Sequence, residues 1–480
     1  MAGYFGKKGY TLKKDSLSQS DMYELRKELD VKPNSQMNGF ISNITYPIYR
    51  ESSSKLYIPR YYGLEKYGKP YKNLVETGKD IDIEFSGKLF DYQENIIQKY
   101  IDFVGESGGG LLDVEPGKGK TVMALNIISK IKKKTLVVVH KSFLLNQWKE
   151  RIAQFIPNAK VGQLQGQIYD VDDKDIVIGM LQTLCTKDFP QDMIDEFGLT
   201  VYDECHHLSA EVFSNVMIKI VTNYNLGLSG TMTRKDGLTK VFKYFIGPVI
   251  HKEKTDNKIQ VTIKTLLFED PEDEKFNEIE TDYKGNPMYS RMITKLCENE
   301  NRTNMIVNVI NYELKRNYNQ QIMILAHNKS LIKQMFEKIQ VFEPDIGYYL
   351  GGMKEKDLKE SESKKVIIAT YAMASEGLDI KTLTTLLMAT PKSDVCQSVG
   401  RILRSKHDEP IVIDIVDVHQ IFKNQYTKRR TYYRKKDYKI HSYLNLNDYL
   451  EDKYSIQEKK IIKKHEKKPK CLINILDNAS

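Results

Sequence analysis

Glycines at 117 and 119, followed at once by Lys120 and Thr121, close the stretch LLDVEPGKGKT at residues 111–121. An apolar run, a glycine loop and the helical run VMALNIISKIKKK give the order strand, loop, helix. Such a loop aims backbone N–H groups at an anion, and the helix N-terminus adds its partial positive charge. Lys120 is placed to reach the outer phosphate oxygens of a bound ATP, and Thr121 to hold Mg²⁺. Strict phosphate-loop spacing asks for a glycine at 114, where this chain has Val114. The match is therefore to the shorter GxGKT form, and a surface loop with the same letters is the alternative. Hydrolysis of a nucleoside triphosphate needs a phosphate cradle, a metal, an oriented water and positive charge at the transition state. Asp203 and Glu204 follow the apolar run LTVY. Asp203 can share Mg²⁺ with Thr121, and Glu204 can orient and deprotonate water. Two acids at a strand end can also be a simple turn or helix cap. Arg401 and Arg404 are three apart on a predicted helix and share one face. They can act as arginine fingers, or form a surface salt-bridge helix. Gly400 before the first permits a close approach to another surface.

Positioning these groups requires buried strands with polar ends. TLVVV runs into His140 and Lys141, DIVIGM into Gln182 and Thr183, and LGLS ends at Ser229. Continuous apolar runs of this length suit parallel strands covered on both faces. Polar residues beyond their C-terminal ends lie where open α/β sheets bind ligands. From Gln321 the alternation restarts: QIMILAHNK ends in Asn328 and Lys329, KKVIIAT ends at Thr370, and PIVIDIVD is a last buried run. The expected architecture is α/β, two tandem doubly wound parallel sheets. The boundaries fall at 1–80 for a small N-terminal accessory domain, 81–250 and 251–425 for the two α/β domains, and 426–480 for a basic C-terminal extension.

Composition sets outer bounds. The 480 residues are long enough for about three domains. A net charge of +9 favours a polyanionic partner, although surface lysines alone can produce it. Five scattered cysteines with no CxxC pair read as reduced thiols of an intracellular protein, with neither a disulfide framework nor a zinc site. The first residues contain no apolar secretory core, and no run reaches the roughly 20 apolar residues of a membrane span. Tyrosines beside Arg50, Lys55 and Arg60 can stack on bases or pack a small β-rich core. The tail NQYTKRRTYYRKKDYKI interleaves basic and aromatic residues. It suits nucleic-acid backbone contact with base stacking, or an amphipathic closing helix.

Taken in order, EPGKGKT, VYDECHH, LSGT, ATYAMASEGLDI and QSVGRILR resemble five signature motifs of superfamily 2 helicases. YQ at 92–93, VVVHKS and GMLQTL resemble three more, and the likeness covers about residues 85–420. SGTMTRKDG is similar to the DEAH-like group that contains transcription-factor and repair translocases. The length, PKSDVCQSVGRILR and the basic tail resemble the transcript-release DNA helicases of poxviruses and other large cytoplasmic DNA viruses. The resemblance implies two RecA-like domains that share one nucleotide. Gln93 would contact adenine, and Gly117, Gly119, Lys120 and Thr121 would hold phosphate and Mg²⁺. Asp203 and Glu204 would be the metal and water acids. Gly377 and Asp379 would lie near the ribose, with Arg401 and Arg404 at the γ-phosphate. Ser229 and Thr231 would couple the nucleotide site to the strand. His140, Lys141, Gln182, Thr183, Asn328, Lys329 and Thr370 would line the nucleic-acid track. Val114, Cys205, Gly230 and Met232 depart from common family letters beside the charged groups and replace none of them.

The implied protein is a monomeric ATP-dependent motor on DNA, with RNA or a hybrid as the other tracks. It would serve viral transcription with the transcription machinery, or DNA repair and recombination, in the cytoplasm of the infected cell and packaged in the virion, without membrane attachment. An ATP-gated nucleic-acid-binding scaffold is the reading from another class. The motor subunit of a repair or restriction complex is a further one, for which a fused nuclease cluster would speak.

Overall fold

The computed structural model describes residues 3–32, 36–37, 40–41, 45–115, 117–204, 210–230, 238–252, 260–375, 380–393, 395, 398–399 and 410–456. They form two compact units, the first built mainly from residues up to 259 and the second beginning at Gln260.

In the first unit the apolar runs become the strands Gly109–Asp113, Thr135–Val139, Ile176–Met180, Leu199–Tyr202 and Tyr224–Ser229. All but the last are buried along their whole length, as strands are when helices cover both sheet faces. With Val161–Gln165, Ile168–Asp170 and Val249–Lys252 they make one eight-stranded sheet. The phosphate-loop strand Gly109–Asp113 lies between Tyr224–Ser229 and Val249–Lys252, and Leu199–Tyr202 lies between Tyr224–Ser229 and Thr135–Val139. Every pairing is parallel except that of Val161–Gln165 with Ile168–Asp170. The chain therefore leaves the phosphate-loop strand, skips two positions, and fills them later. The glycine loop and the acidic turn, from distant sequence, thus meet at one sheet end.

One core includes Ile97, Tyr100, Ile127, Ile128, Leu145, Trp148 and Ile152. The other includes Phe213, Val216, Phe242 and Ile246, and it runs without a break into Tyr10, Leu12, Leu25, Leu56 and Ile58 of the N-terminal segment. That segment forms a four-stranded antiparallel sheet with the helices Gln19–Leu29 and Arg60–Tyr67. Arg60 sits at the junction. Its guanidinium donates to the carbonyls of Thr222 and Asn223 at 3.4 and 2.7 Å and lies 4.6 Å from the Phe5 ring centre. Gly108 has φ +81, and a Cβ there would stand 2.0 Å from that guanidinium. The anchored carbonyls precede the N-terminal ends of sheet strands, so the accessory segment attaches opposite the phosphate loop. Tyr10, Tyr46 and Tyr62 are buried. Of the two roles open for this tyrosine-rich stretch, packing accounts for these side chains.

The second unit has its own sheet. Its parallel strands are Thr262–Phe268, Gln321–Ala326, Ile346–Tyr349, Val366–Thr370, Leu383–Met388, Ile411–Asp417 and Lys439–Tyr443, with Ser455–Ile456 antiparallel at one edge. Of the basic extension expected at 426–480, residues up to 456 enter this fold, and 457–480 lie outside the described residues. The helix Gln420–Lys435 is followed by Lys439–Tyr443, which pairs along Thr262–Phe268. Among the described residues, three ion pairs with both partners buried hold the unit together. Arg302 clasps Asp417 at 2.6 and 3.0 Å, and Arg429 clasps Asp414 at 2.8 and 2.9 Å, with the Tyr433 hydroxyl also donating to Asp414. Lys264 meets Glu313 at 2.7 Å, where the Tyr449 hydroxyl donates at 2.6 Å. Arg429 and Tyr433 are thus core residues, while Lys423, Lys428 and Lys435 of the same helix are exposed. No helix among the described residues is long and apolar enough to cross a membrane.

Breaking one buried pair leaves an uncompensated charge, which costs far more than the pair contributes as a whole. Arg429→Met is expected to destabilise the second unit by about 3–5 kcal/mol, read as an earlier unfolding transition in urea. Adding Asp414→Leu to the same chain is expected to recover a large part of that loss.

Candidate nucleotide site and nucleic-acid track

The phosphate loop departs from the buried end of Gly109–Asp113 and enters the helix Lys120–Ile131. Gly117 and Gly119 have φ of 84° and 79°, values that an L side chain rarely adopts. Glycine at the N-cap also leaves no side chain there to compete for the first-turn N–H groups, which is the condition for anion binding. A Cβ on Gly119 would lie 2.4 Å from Nε2 of Gln93. Gln93 is buried, donates from Nε2 to the Lys118 carbonyl at 3.0 Å, and accepts at Oε1 from the Phe90 N–H at 3.1 Å. The Tyr92 hydroxyl donates to the same Lys118 carbonyl at 3.1 Å. Tyr92 and Gln93 thus brace the loop, and an amide with two N–H groups retains capacity toward a base edge. Phe90 stacks on Tyr92 at 5.8 Å and 8° with 67% of its surface exposed. This flat apolar platform beside the loop was missed in the sequence, where Phe90 looks like any apolar residue at a helix entrance.

Parallel register brings the acids to this loop. Tyr202 pairs with Val138 and Gly227, and Ser229 with Asp113, so Asp203 and Glu204 emerge at the level of the loop strand's last residues. Ser229 is buried, and its carbonyl accepts from Val114 N–H at 2.9 Å. Asp203 is buried and accepts at Oδ2 from the indole N–H of Trp148 at 2.8 Å. Burial first, and then the charge of Glu204, push its pKa up to about 6. Glu204 has φ +46, left-handed for a non-glycine residue, the kind of local strain that concentrates at functional sites. Its Oε1 meets Nζ of Lys120 at 2.8 Å. The structure therefore brings Gly117, Gly119, Lys120, Thr121, Gln93, Asp203, Glu204 and Ser229 to one sheet end. Thr121 and Asp203 offer only hard oxygen donors, which suit Mg²⁺ completed by phosphate oxygens and water. No closed cluster of three metal-binding side chains occurs among the described residues, and a metal held in that manner needs none.

The candidate track residues also gather at strand ends. In the first unit Val139 pairs with Met180, and the Gln182 amide donates to the His140 carbonyl at 3.1 Å. Thr183 accepts from the Gly166 N–H at 2.9 Å, and Lys141 is the N-cap residue of the helix Ser142–Phe155. In the second unit Ala326 pairs with Thr370. Asn328 caps the helix Lys329–Ile339 by accepting from Ser330 N–H, with Lys329 as its first residue. Thr231, Gly377, Asp379, Arg401 and Arg404 lie outside the described residues.

Asp203→Asn is expected to raise the stability of the nucleotide-free chain at pH 7.5, because it removes a buried charge and keeps the shape. The wild-type carboxylate binds its proton near pH 6 when folded and near 3.8 when unfolded. Its cost is thus full above pH 6 and vanishes below pH 4. The gain should be about 3 kcal/mol at pH 7.5 and fall toward zero by pH 4, measured by urea unfolding.

A family model described as "Type III restriction enzyme, res subunit" matches residues 86–234. The mimivirus protein named "Putative ATP-dependent RNA helicase L396" is 35% identical over 472 residues, covering 95% of this chain and 90% of that one. Protein QP509L of African swine fever virus, which carries the same designation, is 26% identical over 414 residues, 77% of either chain. Among solved structures, Saccharomyces cerevisiae Dbp5 bound to RNA and ADP BeF3 aligns with a TM-score of 0.52 at 11% identity, over 74% of this chain and 91% of that one. This last likeness concerns fold, and it agrees with two RecA-like α/β domains. On the strength of its viral relatives, the chain belongs to the ATP-dependent helicases of large DNA viruses.

Proposed function

We propose that this helicase hydrolyses Mg-ATP at the sheet end of its first unit and uses the cycle to move along a nucleic-acid strand, DNA first. The observation that carries the reading is the contact of Lys120 with Glu204, 2.8 Å apart on a loop and a strand end 84 residues apart in sequence. A lysine beside an acid at a glycine loop is an arrangement in which one group can take phosphate oxygens while the other aligns a water. Mg²⁺ on Thr121 and Asp203 would neutralise charge developing on the phosphates. The chain's own groups do the rest. The glycine loop and first helical turn orient the phosphates. Lys120 exchanges Glu204 for phosphate oxygens, and the released Glu204 aligns the attacking water. Arg401 and Arg404 supply positive charge to the transition state in this reading, and hydrolysis changes the grip of His140, Lys141, Gln182 and Thr183 against that of Asn328, Lys329 and Thr370. We infer a role in viral transcription, at transcript release, with DNA repair or recombination as the other setting.

The mimivirus and African swine fever virus relatives carry RNA in their names, so both tracks belong in the test. ATP turnover measured with single-stranded DNA, double-stranded DNA and RNA, together with strand displacement on duplexes tailed at either end, separates them. Stimulation by DNA above RNA is expected, and stimulation by RNA alone would overturn the DNA assignment. Lys120→Ala and Glu204→Gln are each expected to lower stimulated turnover by at least about 10³-fold. Near wild-type turnover in either variant would sink the hydrolysis assignment, and binding without stimulation would support the scaffold.

A further inference from the structure

We propose that Trp148 is a positioning residue for the metal-binding carboxylate of Asp203, an inference that rests on the nucleotide reading above. Trp148 is the only tryptophan of the chain. It stands on the helix Ser142–Phe155, which follows the neighbouring strand and caps neither the phosphate loop nor the acidic turn. Its ring is 1% exposed, yet its one polar atom reaches Oδ2 of Asp203 at 2.8 Å.

The chemistry of that donor is specific. A carboxylate at a buried strand end must be held in one rotamer if it is to meet a metal with fixed geometry. Lysine or arginine would hold it and also neutralise it, competing with the cation. Indole N–H is a neutral, donor-only group on a large rigid ring. It orients the carboxylate and leaves the full negative charge for Mg²⁺. The ring is fixed in turn by the core it packs in, among Leu144, Leu145 and Ile152. A buried indole N–H needs an acceptor whatever its role; what bears on function here is that the acceptor is the carboxylate assigned to the metal.

The test compares ADP binding with and without Mg²⁺ by calorimetry on the full chain. The variant replaces the Trp148 side chain with 3-benzothienylalanine, in which sulfur stands for N–H and the shape is kept. Metal-free ADP affinity is expected to stay within about twofold, and the Mg²⁺-dependent gain to fall on the order of 10-fold. Trp148→Phe is expected to shift in the same direction. In the wild-type chain, the emission of the single tryptophan should change saturably as Mg²⁺ is added to the ADP complex, and Asp203→Asn should abolish that change. An unaltered Mg²⁺-dependent gain in the benzothienyl variant would overturn the proposal while leaving the nucleotide site intact. Equal losses with and without metal would reduce Trp148 to packing. Wild-type chain whose ADP binding ignores Mg²⁺ would instead defeat the nucleotide reading itself.

Discussion

Two adjacent carboxylates at the end of a buried strand are an electrostatic problem that the first unit is arranged to meet. Asp203 and Glu204 repel each other, and burial raises the cost for Asp203. Relief comes from different places: a neutral indole from a covering helix for one acid, and Lys120 from the phosphate loop for the other. The lysine pairing ties the loop to the acidic turn in a way that a bound γ-phosphate would compete with. The candidate nucleotide site therefore holds charges whose pairing a ligand can exchange, which is the condition for a ligand to reorganise it.

The second unit uses charge differently. Arg302 with Asp417, Arg429 with Asp414, and Lys264 with Glu313 are pairs with both partners buried, and a tyrosine hydroxyl also donates to Asp414 and to Glu313. They join strands to helices of the same unit, across 15 to 115 residues of sequence. Their presence explains why a segment as basic as the helix Gln420–Lys435 is folded in place: part of its charge faces acids in the core, and only lysines such as Lys423 and Lys428 face outward.

Legibility followed burial. The runs TLVVV, IVIGM and LTVY announced fully buried parallel strands, and each became one, because a strand covered on both faces has no polar face to confuse the pattern. The order of glycines, lysine and threonine at 117–121 announced the loop for a like reason, since glycine adopts without strain the positive φ found at 117 and 119. The N-terminal 80 residues were far less legible. Their tyrosines are amphipathic, and whether such a ring meets a base or a core depends on what lies opposite. Here Arg60 and Tyr61 bond to carbonyls at the start of strands more than 40 residues away, and Tyr10, Tyr46 and Tyr62 pack.

By itself, then, the sequence determined the local devices: the phosphate loop, the acid pair, the polar strand ends and the α/β alternation, all of them properties of neighbouring residues. Tertiary structure decided which devices meet. Strand order carried Asp203 and Glu204 to the loop of Lys120, placed Trp148 against one of those acids, and divided the basic tail between core and surface. Each of these depends on parallel register and on the burial of a partner far away along the chain, and no spacing within a single segment encodes that.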